Sequence, residues 1–220
     1  SRHDSGGPGR VRRTRRCSRR RGMIRFFQTI AHIGAPPLLS LGVIQHGLNM
    51  SEFEIKILTP ETWELYKSAR LNSLKESPDS FGSIYNQEAV LSDAEWKSRL
   101  DLKSRDIDAL PLIAEHKGQP VGIAWGFIHK PNLQVAHIYQ MWVSPELRGK
   151  GIAKSLLLEI KSWALGRGCS LMALSVTTSN EAAVNFYKSF GFVAAGQLEE
   201  LRADSPLLVQ PMTIELNSAV

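Results

Sequence analysis

Residues 141–153, with the sequence MWVSPELRGKGIA, contain the clearest indication of a ligand site in this chain. An apolar run ends at Val143, and a loop with two glycines leads into a helical pattern that begins after Gly151. The first backbone N–H groups of a helix lack acceptors within the helix, and the helix dipole adds positive charge there. This arrangement predicts an anion site, and a pyrophosphate group suits it. The spacings GxxxxGKS/T and GxGxxG are not met, so neither a Walker loop nor a dinucleotide fingerprint is indicated.

The elements that position this loop follow from hydrophobic periodicity and breaker residues. Helical patterns follow Pro60, Ser92, Gly151 and Asn180, and a loop at 79–91 joins the first two. Strand-like apolar runs occupy residues 54–58, 110–114, 121–128, 135–143 and 171–176, with further apolar segments at 192–195 and 207–216. The runs between 110 and 143 are separated by KGQP and KPN, which favours an antiparallel meander. A meander followed by alternating helices and strands predicts an α/β three-layer architecture, with a mixed central sheet and helices on both faces.

Two motifs identify a family resemblance. Arg148, Gly151 and Ala153 satisfy the pattern Q/R-x-x-G-x-G/A, and Val143-x-Pro145 precedes it; about 27 residues after Ala153 comes NEAAVNFYKSFGF, residues 180–192. In these motifs, their order and the predicted strands around them, the sequence resembles the GNAT superfamily of acetyl-CoA-dependent N-acetyltransferases. The resemblance covers residues 53–216. It implies a cofactor cleft where the fourth and fifth strands splay apart.

The resemblance also implies how acetyl-CoA, as co-substrate, would be held. Met141 and Val143 would pair through their backbones with the pantetheine arm, as a strand adds to an open sheet edge. Asn180 would touch the pantetheine region, although a plain N-cap is an equally good interpretation of this residue. The pyrophosphate would be bound by backbone amides of the pyrophosphate loop, residues 148–153, which consists of Arg148, Gly149, Lys150, Gly151, Ile152 and Ala153.

Tyr187 lies where many members of the family keep a tyrosine that protonates the departing thiolate. Attack of an amine on a thioester forms a tetrahedral oxyanion, and sulfur leaves more easily when a phenol donates to it. The same residue shares helical spacing with Val184 and Phe190. Packing of this aromatic ring on the sheet is therefore the alternative interpretation.

A general base is also required, because an ammonium acceptor with a pKa of about 10 must lose a proton before it attacks. The histone-acetylating branch of the family carries a glutamate in the context Ala-Glu-Ile, where this chain has Ala136-His137-Ile138. His137 or a relayed water is thus the expected base. A strand histidine with satisfied ring nitrogens is the alternative, and Glu88 and Glu115 are weaker candidates.

The resemblance implies transfer of an acetyl group to a primary amine of a small molecule or peptide by direct attack in a ternary complex. It places the acceptor pocket among the first two helices, their connecting loop and the last hairpin. Two other classes remain open: a non-catalytic acyl-CoA-binding sensor or regulatory module, and a nucleic-acid binder that uses a basic arm. The family needs no metal, and the three histidines His116, His129 and His137 match no metal-ligand spacing.

The net charge of +6 comes from one end of the chain. Residues 1–50 contain ten arginines and one acidic residue, whereas residues 51–220 contain 17 basic and 20 acidic residues. We therefore expect an Arg-rich, disordered extension over residues 1–49 and an N-acetyltransferase domain over 50–220. The extension has three open interpretations: an upstream extension that precedes a start at Met50, an organelle transit peptide, or a basic arm for nucleic acid or anionic lipid.

The remaining expectations concern the setting of the protein. The two cysteines, Cys17 and Cys169, lie far apart without a CxxC partner, which favours a reducing compartment and a cytoplasmic location. Glycines and prolines interrupt the apolar residues 26–48, which argues against a membrane span. Because the domain is mildly acidic, we expect it to bind no nucleic acid. A monomer and a homodimer are both compatible with the sequence.

Overall fold

The computed structural model describes residues 53–203 and 205–216. The expected extension over residues 1–49 lies outside these described residues, as does Cys17. The boundary expected at residue 50 therefore stays a prediction.

The described residues form eight strands and five α-helices. The strands are β1 (Glu54–Ile57), β2 (Asp108–His116), β3 (Gln119–Ile128), β4 (Val135–Val143), β5 (Leu171–Thr177), β6 (Val193–Ala194), β7 (Glu199–Glu200) and β8 (Leu208–Glu215). The helices are α1 (Trp63–Glu76), α2 (Tyr85–Glu88), α3 (Asp93–Leu100), α4 (Ile152–Gly166) and α5 (Glu181–Ser189). The short helix α2 lies inside the segment that the sequence predicts to be a loop.

All eight strands belong to one sheet, in the order β1-β2-β3-β4-β5-β8-β6, with β7 also paired to β8. Strands β1 to β4 form the predicted antiparallel meander. The pairing of β4 with β5 is parallel, and β8 returns antiparallel to β5. The predicted mixed central sheet is confirmed.

Helices cover both faces of the sheet, because side chains on a strand alternate between the two faces. On β3, Ala124 and Ile128 join the apolar cluster that contains the buried side of α4. Ile123 and Trp125 of the same strand join a second cluster, which contains the buried residues of α1 and α3. We call these the α4 cluster and the α1 cluster. Two separate apolar clusters on opposite faces confirm the three-layer architecture.

Helix α4 follows its predicted pattern. Its residues Ile152, Leu156, Leu157, Ile160 and Ala164 are buried, as the helical spacing in the sequence requires. The helix approaches β3 closely at Gly126, where an added Cβ atom would lie 2.9 Å from Cζ3 of Trp163. This glycine therefore sets the distance between the helix and the sheet.

Strand β4 is bulged just before the pyrophosphate loop. On β3, one residue separates Ile123 and Trp125, whereas two residues of β4 separate their partners Trp142 and Tyr139. Gln140 lies in this bulge with a φ of 55°, a left-handed conformation that is uncommon for a residue other than glycine. A bulge bends its strand, so β4 changes direction here.

Strands β4 and β5 pair over a short length. The ladder contains three residue pairs and ends with His137 opposite Ala173. Beyond that point each strand keeps its outer partner, β3 for one and β8 for the other. The two strands thus diverge toward their carboxyl ends and leave the cleft that the family resemblance implies.

No helix within residues 53–203 and 205–216 combines the length and the hydropathy that crossing a bilayer requires.

The contact at Gly126 gives a stability prediction. We expect Gly126→Ala to lower the free energy of unfolding by about 1–3 kcal/mol, because the new methyl group displaces Trp163 and Ile160. The matched control is Gly166→Ala at the end of α4, where an added Cβ has no neighbour within 4 Å. Urea unfolding of both variants checks the difference, and equal stabilities would contradict the close packing of α4 on β3.

Candidate functional site

The pyrophosphate loop lies at the open end of the cleft. Parallel strands present their carboxyl ends at the same edge of a sheet, so the segments that follow β4 and β5 are neighbours. The segment after β4 is a single 3₁₀ turn, Pro145–Leu147, followed by the pyrophosphate loop and α4. The segment after β5 leads through Asn180 into α5. The structure thus brings the two sequence motifs to one edge.

The glycines of the pyrophosphate loop are required by the backbone. Gly149 has a φ of 78° and Gly151 a φ of 87°, both left-handed, and an added Cβ at either position would meet no atom within 4 Å. Gly151 is the N-cap of α4, and its carbonyl accepts the Ser155 amide. Side chains are disfavoured here by backbone conformation rather than by crowding.

The loop offers backbone donors to a ligand. Within the described parts of the chain, no acceptor pairs with the amides of Gly149 and Gly151. The first-turn amides of α4, which include Ile152 and Ala153, have no acceptor within the helix. The Arg148 amide differs, because it donates to the Pro145 carbonyl at 3.2 Å. The donors that remain for an anion therefore begin at residue 149.

The Arg148 side chain is held away from the loop by two acceptors. Its Nε donates to the Val143 carbonyl at 3.0 Å, and its Nη2 donates to Oε2 of Glu76 at 2.6 Å. The Val143 carbonyl, which the resemblance assigns to the pantetheine arm, is thus already occupied by a protein donor. The guanidinium of Arg148 therefore stabilises the conformation of the loop, and its charge is paired with Glu76.

Glu76 is a residue of this site that sequence reasoning missed. Its Oε2 also accepts Trp142 Nε1 at 2.9 Å and the Ser77 hydroxyl. Burial raises the pKa of this carboxyl, but the hydrogen bonds from Ser77, Trp142 and Arg148 outweigh burial and hold the pKa below its usual range. One signal in the sequence could have indicated this residue. Glu76 is the last residue of α1, where the negative end of the helix dipole makes an acidic side chain unfavourable.

Tyr187 is buried on α5, with 7% of its surface exposed. Its ring packs in the α4 cluster, with ring centroids 5.3 Å from Phe186 and 5.7 Å from Phe192. Burial raises the pKa of Tyr187, so the phenol keeps its proton at neutral pH. Among the described residues its hydroxyl has no hydrogen-bond partner. The ring packs as the alternative interpretation expects, and the catalytic role of the hydroxyl stays a prediction.

Both ends of the Asn180 side-chain amide are used by the protein. The oxygen accepts the Ala183 amide at 3.1 Å and so caps α5. The nitrogen donates to the Ser80 hydroxyl at 3.3 Å. Asn180 thus connects the start of α5 to the segment that follows α1, and the N-cap interpretation is confirmed.

His137 lies on the other face of the sheet from Tyr187. Its neighbours Ala136 and Ile138 belong to the α4 cluster, so the His137 side chain points toward the face that α1 covers. Its ring lies 5.1 Å from His129 and 6.1 Å from Tyr139 between centroids. Burial, and to a smaller extent His129, lowers the pKa of His137. The imidazole is therefore neutral near pH 7 and can accept a proton.

The weaker base candidates are held in ion pairs. Glu88 is buried and accepts from Arg70 at 2.9 Å and from Arg99 at 2.7 Å. Glu115 pairs with Lys56 at 3.3 Å beside the edge strand β1. Burial raises the pKa of Glu88, but the two arginines outweigh burial and lower that pKa. Neither carboxylate is placed as a general base.

The segment after α1 reaches the other side of the cleft. We call residues 76–81 the bridge segment. The Asp79 carbonyl accepts Thr177 Oγ1 at 2.7 Å, and the Phe81 carbonyl accepts Arg202 Nη1 at 3.0 Å. Glu76 at its start contacts the β4 side, and Asp79 and Ser80 contact the β5 side. This segment, which the resemblance assigns to the acceptor pocket, therefore spans the opening between the two strands.

Sequence comparison decides the family. The profile of the Acetyltransferase (GNAT) family matches residues 71–192, more than half of the chain. The chain belongs to this family. Its match begins in α1 and ends just after α5, so it includes the cleft and both motifs.

Individual relatives agree with this assignment. An uncharacterized N-acetyltransferase of Methanocaldococcus jannaschii is 33% identical over 96 residues, which cover 41% of this chain and 42% of that protein. Mycothiol acetyltransferase of Paenarthrobacter aurescens is 28% identical over 125 residues, covering 53% of this chain and 36% of that enzyme. The chain thus matches less than half the length of these curated GNAT relatives.

A solved structure extends the comparison to the fold of the GNAT family. Spermidine N-acetyltransferase from Vibrio cholerae, in complex with CoA and spermine, superposes with a TM-score of 0.61 at 19% sequence identity. The alignment covers 76% of this chain and 96% of that chain. At this identity the likeness establishes the fold.

Within residues 53–203 and 205–216, no group of three His, Cys, Asp or Glu residues could hold a metal ion.

The buried ion cluster gives a prediction that separates structure from catalysis. We expect Glu88→Gln to lower the free energy of unfolding by about 3–5 kcal/mol, because the buried Arg70 and the partly buried Arg99 lose their counterion. Urea unfolding measures this loss. The control is Glu54→Gln on β1, an exposed partner of Lys56 that we expect to change stability by about 0.5 kcal/mol or less.

The same cluster predicts a dependence on pH. The folded pKa of Glu88 lies below its usual value, so its contribution is complete above the unfolded pKa of about 4.3. That contribution disappears as the pH falls through the folded pKa. The wild type is therefore expected to lose more stability than Glu88→Gln between neutral pH and acid. Identical losses would show that Glu88 is not held as an anion.

Proposed function

We propose that this chain transfers an acetyl group from acetyl-CoA to a primary amine of a small molecule or peptide, by direct attack in a ternary complex. The observation that carries the proposal is the cleft between β4 and β5, which opens onto the pyrophosphate loop at the start of α4. Family membership and a neighbour of the same fold in complex with CoA support it. The N-acetyltransferase domain is proposed to occupy residues 50–220.

In this proposal the cleft holds acetyl-CoA through the backbone. The amides of Gly149 and Gly151 and the first turn of α4 bind the pyrophosphate, where the helix dipole favours an anion. The backbone of Met141 and the amide of Val143 face the pantetheine arm, since the Val143 carbonyl already accepts from Arg148. Lys150 and Lys154 lie in and just after the loop and add positive charge near the phosphates. Asn180 acts indirectly, through its contacts with α5 and Ser80.

The acetyl transfer exchanges one bond for another. The amine nitrogen attacks the thioester carbonyl, a C–N bond forms, and the C–S bond then breaks as the oxyanion collapses. Tyr187 donates to the departing sulfur, because its buried phenol carries a proton at neutral pH. His137, directly or through a relayed water, accepts the proton of the ammonium.

The acceptor is proposed to be a cationic amine. Acidic side chains are exposed on the parts of the chain assigned to the acceptor pocket, namely Asp79 in the bridge segment and Glu199 and Glu200 on β7. An acidic rim concentrates cations at the pocket. Asp204, an acidic residue that follows β7 in the sequence, lies outside the described residues.

The proposed setting is cytoplasmic, with the protein acting as a monomer or homodimer. Residues 51–220 contain 20 acidic and 17 basic residues, so their net charge is −3. A domain of this charge is not expected to bind a nucleic-acid backbone.

Acetyl-CoA-dependent thiol release by the full chain tests the proposal, with polyamines, aminoglycosides, amino acids and N-terminal peptides as acceptors. We expect turnover on one acceptor class and a kcat about 100-fold lower for Tyr187→Phe, with CoA affinity retained. Ser189→Ala at the end of α5 is the matched control, because it removes an exposed hydroxyl from the same helix. Binding without turnover across the panel would favour the acyl-CoA sensor, and absence of binding would refute both functions.

His137 has its own prediction. We expect His137→Gln to lower kcat by about 100-fold and to remove the acidic limb of the pH profile. The pKa of His137 lies below its usual value, so wild-type activity should persist below pH 6.5 and fall only as the imidazole becomes protonated. The control is His116→Gln at the end of β2, two strands away in the sheet. An unchanged pH profile in His137→Gln would assign the base to another group.

A further inference from the structure

Glu76 connects the end of β4, which is proposed to face pantetheine, to the loop that is proposed to bind the pyrophosphate. A single carboxylate oxygen, Oε2, receives Trp142 Nε1 at 2.9 Å and Arg148 Nη2 at 2.6 Å. Trp142 lies on β4 between Met141 and Val143, the residues proposed to face pantetheine. Arg148 is the first residue of the pyrophosphate loop. Both donors come from residues more than 60 positions away in sequence, so the contact is purely tertiary.

The position of Glu76 is not explained by the stability of its own helix. It is the last residue of α1, where the helix dipole is negative and an acidic side chain is disfavoured. Its three donors compensate for that placement and hold the carboxyl ionised. A carboxylate beside a loop for phosphate would also repel the ligand unless a cation neutralises it. Arg148 provides that cation, and its positive charge is neutralised by Glu76 in return.

The bridge segment extends this contact across the cleft. Three residues after Glu76, the Asp79 carbonyl accepts Thr177 Oγ1 from the end of β5. The Ser80 hydroxyl accepts from Asn180 at the start of α5. Between residues 76 and 80 the chain is therefore anchored to both diverging strands. One short segment thus has hydrogen bonds to both sides of the cleft, beyond the point where the β4–β5 ladder ends.

We propose that Glu76 is a positioning residue for acetyl-CoA: it fixes the end of β4 and the pyrophosphate loop relative to each other and, through the bridge segment, to the β5 side. The inference rests on the proposed function, because it concerns the same cofactor. Glu76 does not touch the reacting atoms in this account. It acts through Trp142 and Arg148.

The test measures CoA binding by calorimetry with the full chain and its variants. We expect Glu76→Ala to raise the Kd for CoA roughly tenfold, the scale of one lost charge-assisted hydrogen bond. Glu76→Gln keeps an oxygen that accepts from Trp142 and Arg148, so its Kd should stay within about threefold of the wild type. The control is Asp93→Ala, which removes an exposed carboxylate paired with Lys67 at 3.0 Å, outside the cleft. Its Kd should not change.

Two further readouts distinguish positioning from general destabilisation. Trp142→Phe removes one donor to Glu76, and in combination with Glu76→Ala its effect on Kd should be less than additive, because both changes break the same contact. With an acceptor identified, Glu76→Ala should raise the KM for acetyl-CoA and leave kcat within about threefold. The unfolding temperature of Glu76→Ala should fall by more than that of Asp93→Ala, because the first change removes the acceptor of Trp142 and Arg148 and the second removes an exposed ion pair. Both variants should remain folded at the temperature of the binding measurement.

The outcomes separate the inference from the proposed function. A wild-type chain that binds no CoA would refute the proposed function itself. A wild type that binds CoA together with a Glu76→Ala variant that binds it equally well or more tightly would overturn the role of Glu76 alone. Loss of affinity in Asp93→Ala to the same extent would also overturn it, because the effect would then not depend on the cleft.

Discussion

The divergence of β4 from β5 is the constraint on which the rest of the structure depends. The two strands share a ladder of three residue pairs that ends at His137, and a bulge at Gln140 follows on β4. The Tyr66 hydroxyl on α1 donates to the Gln140 side chain at 3.3 Å, which connects the bulge to the helix above it. Strand β4 remains paired with β3, and β5 remains paired with β8. The sheet therefore opens only between β4 and β5. The pyrophosphate loop, α5 and the bridge segment are all positioned around this opening.

Two carboxylates on the acceptor side show how position decides the role of a charge. Glu88 is enclosed by Arg70 and Arg99 and has no place in the chemistry. Glu76 is also held by an arginine, but that arginine belongs to the pyrophosphate loop, so we propose that the same kind of ion pair influences the cleft. Burial affects Tyr187 and His137 in opposite directions: the phenol keeps its proton and the imidazole loses it. These are the protonation states that a proton donor and a proton acceptor need at neutral pH.

The sequence predicts the parts of the site that are contiguous along the chain. The loop around Gly149 and Gly151 and the helix that carries Tyr187 are visible because glycine, apolar spacing and caps are local signals. Glu76 is not visible in this way, since its donors Trp142 and Arg148 are 66 and 72 residues away. The bulge at Gln140 is hidden for a similar reason, because its left-handed backbone is imposed by pairing with β3 and carries no glycine to mark it. The second role of Asn180, its contact with Ser80, likewise depends on tertiary structure.

The central claim is that acetyl-CoA lies in the opening between β4 and β5, with its pyrophosphate at the start of α4. Backbone hydrogen exchange of the full chain, measured with and without CoA, tests this claim directly. The account predicts that CoA slows exchange at the amides of Gly149, Gly151, Ile152 and Ala153 and along the free edge of β4 at Met141 and Val143. Protection confined to other segments, or binding that leaves these amides unchanged, would contradict it.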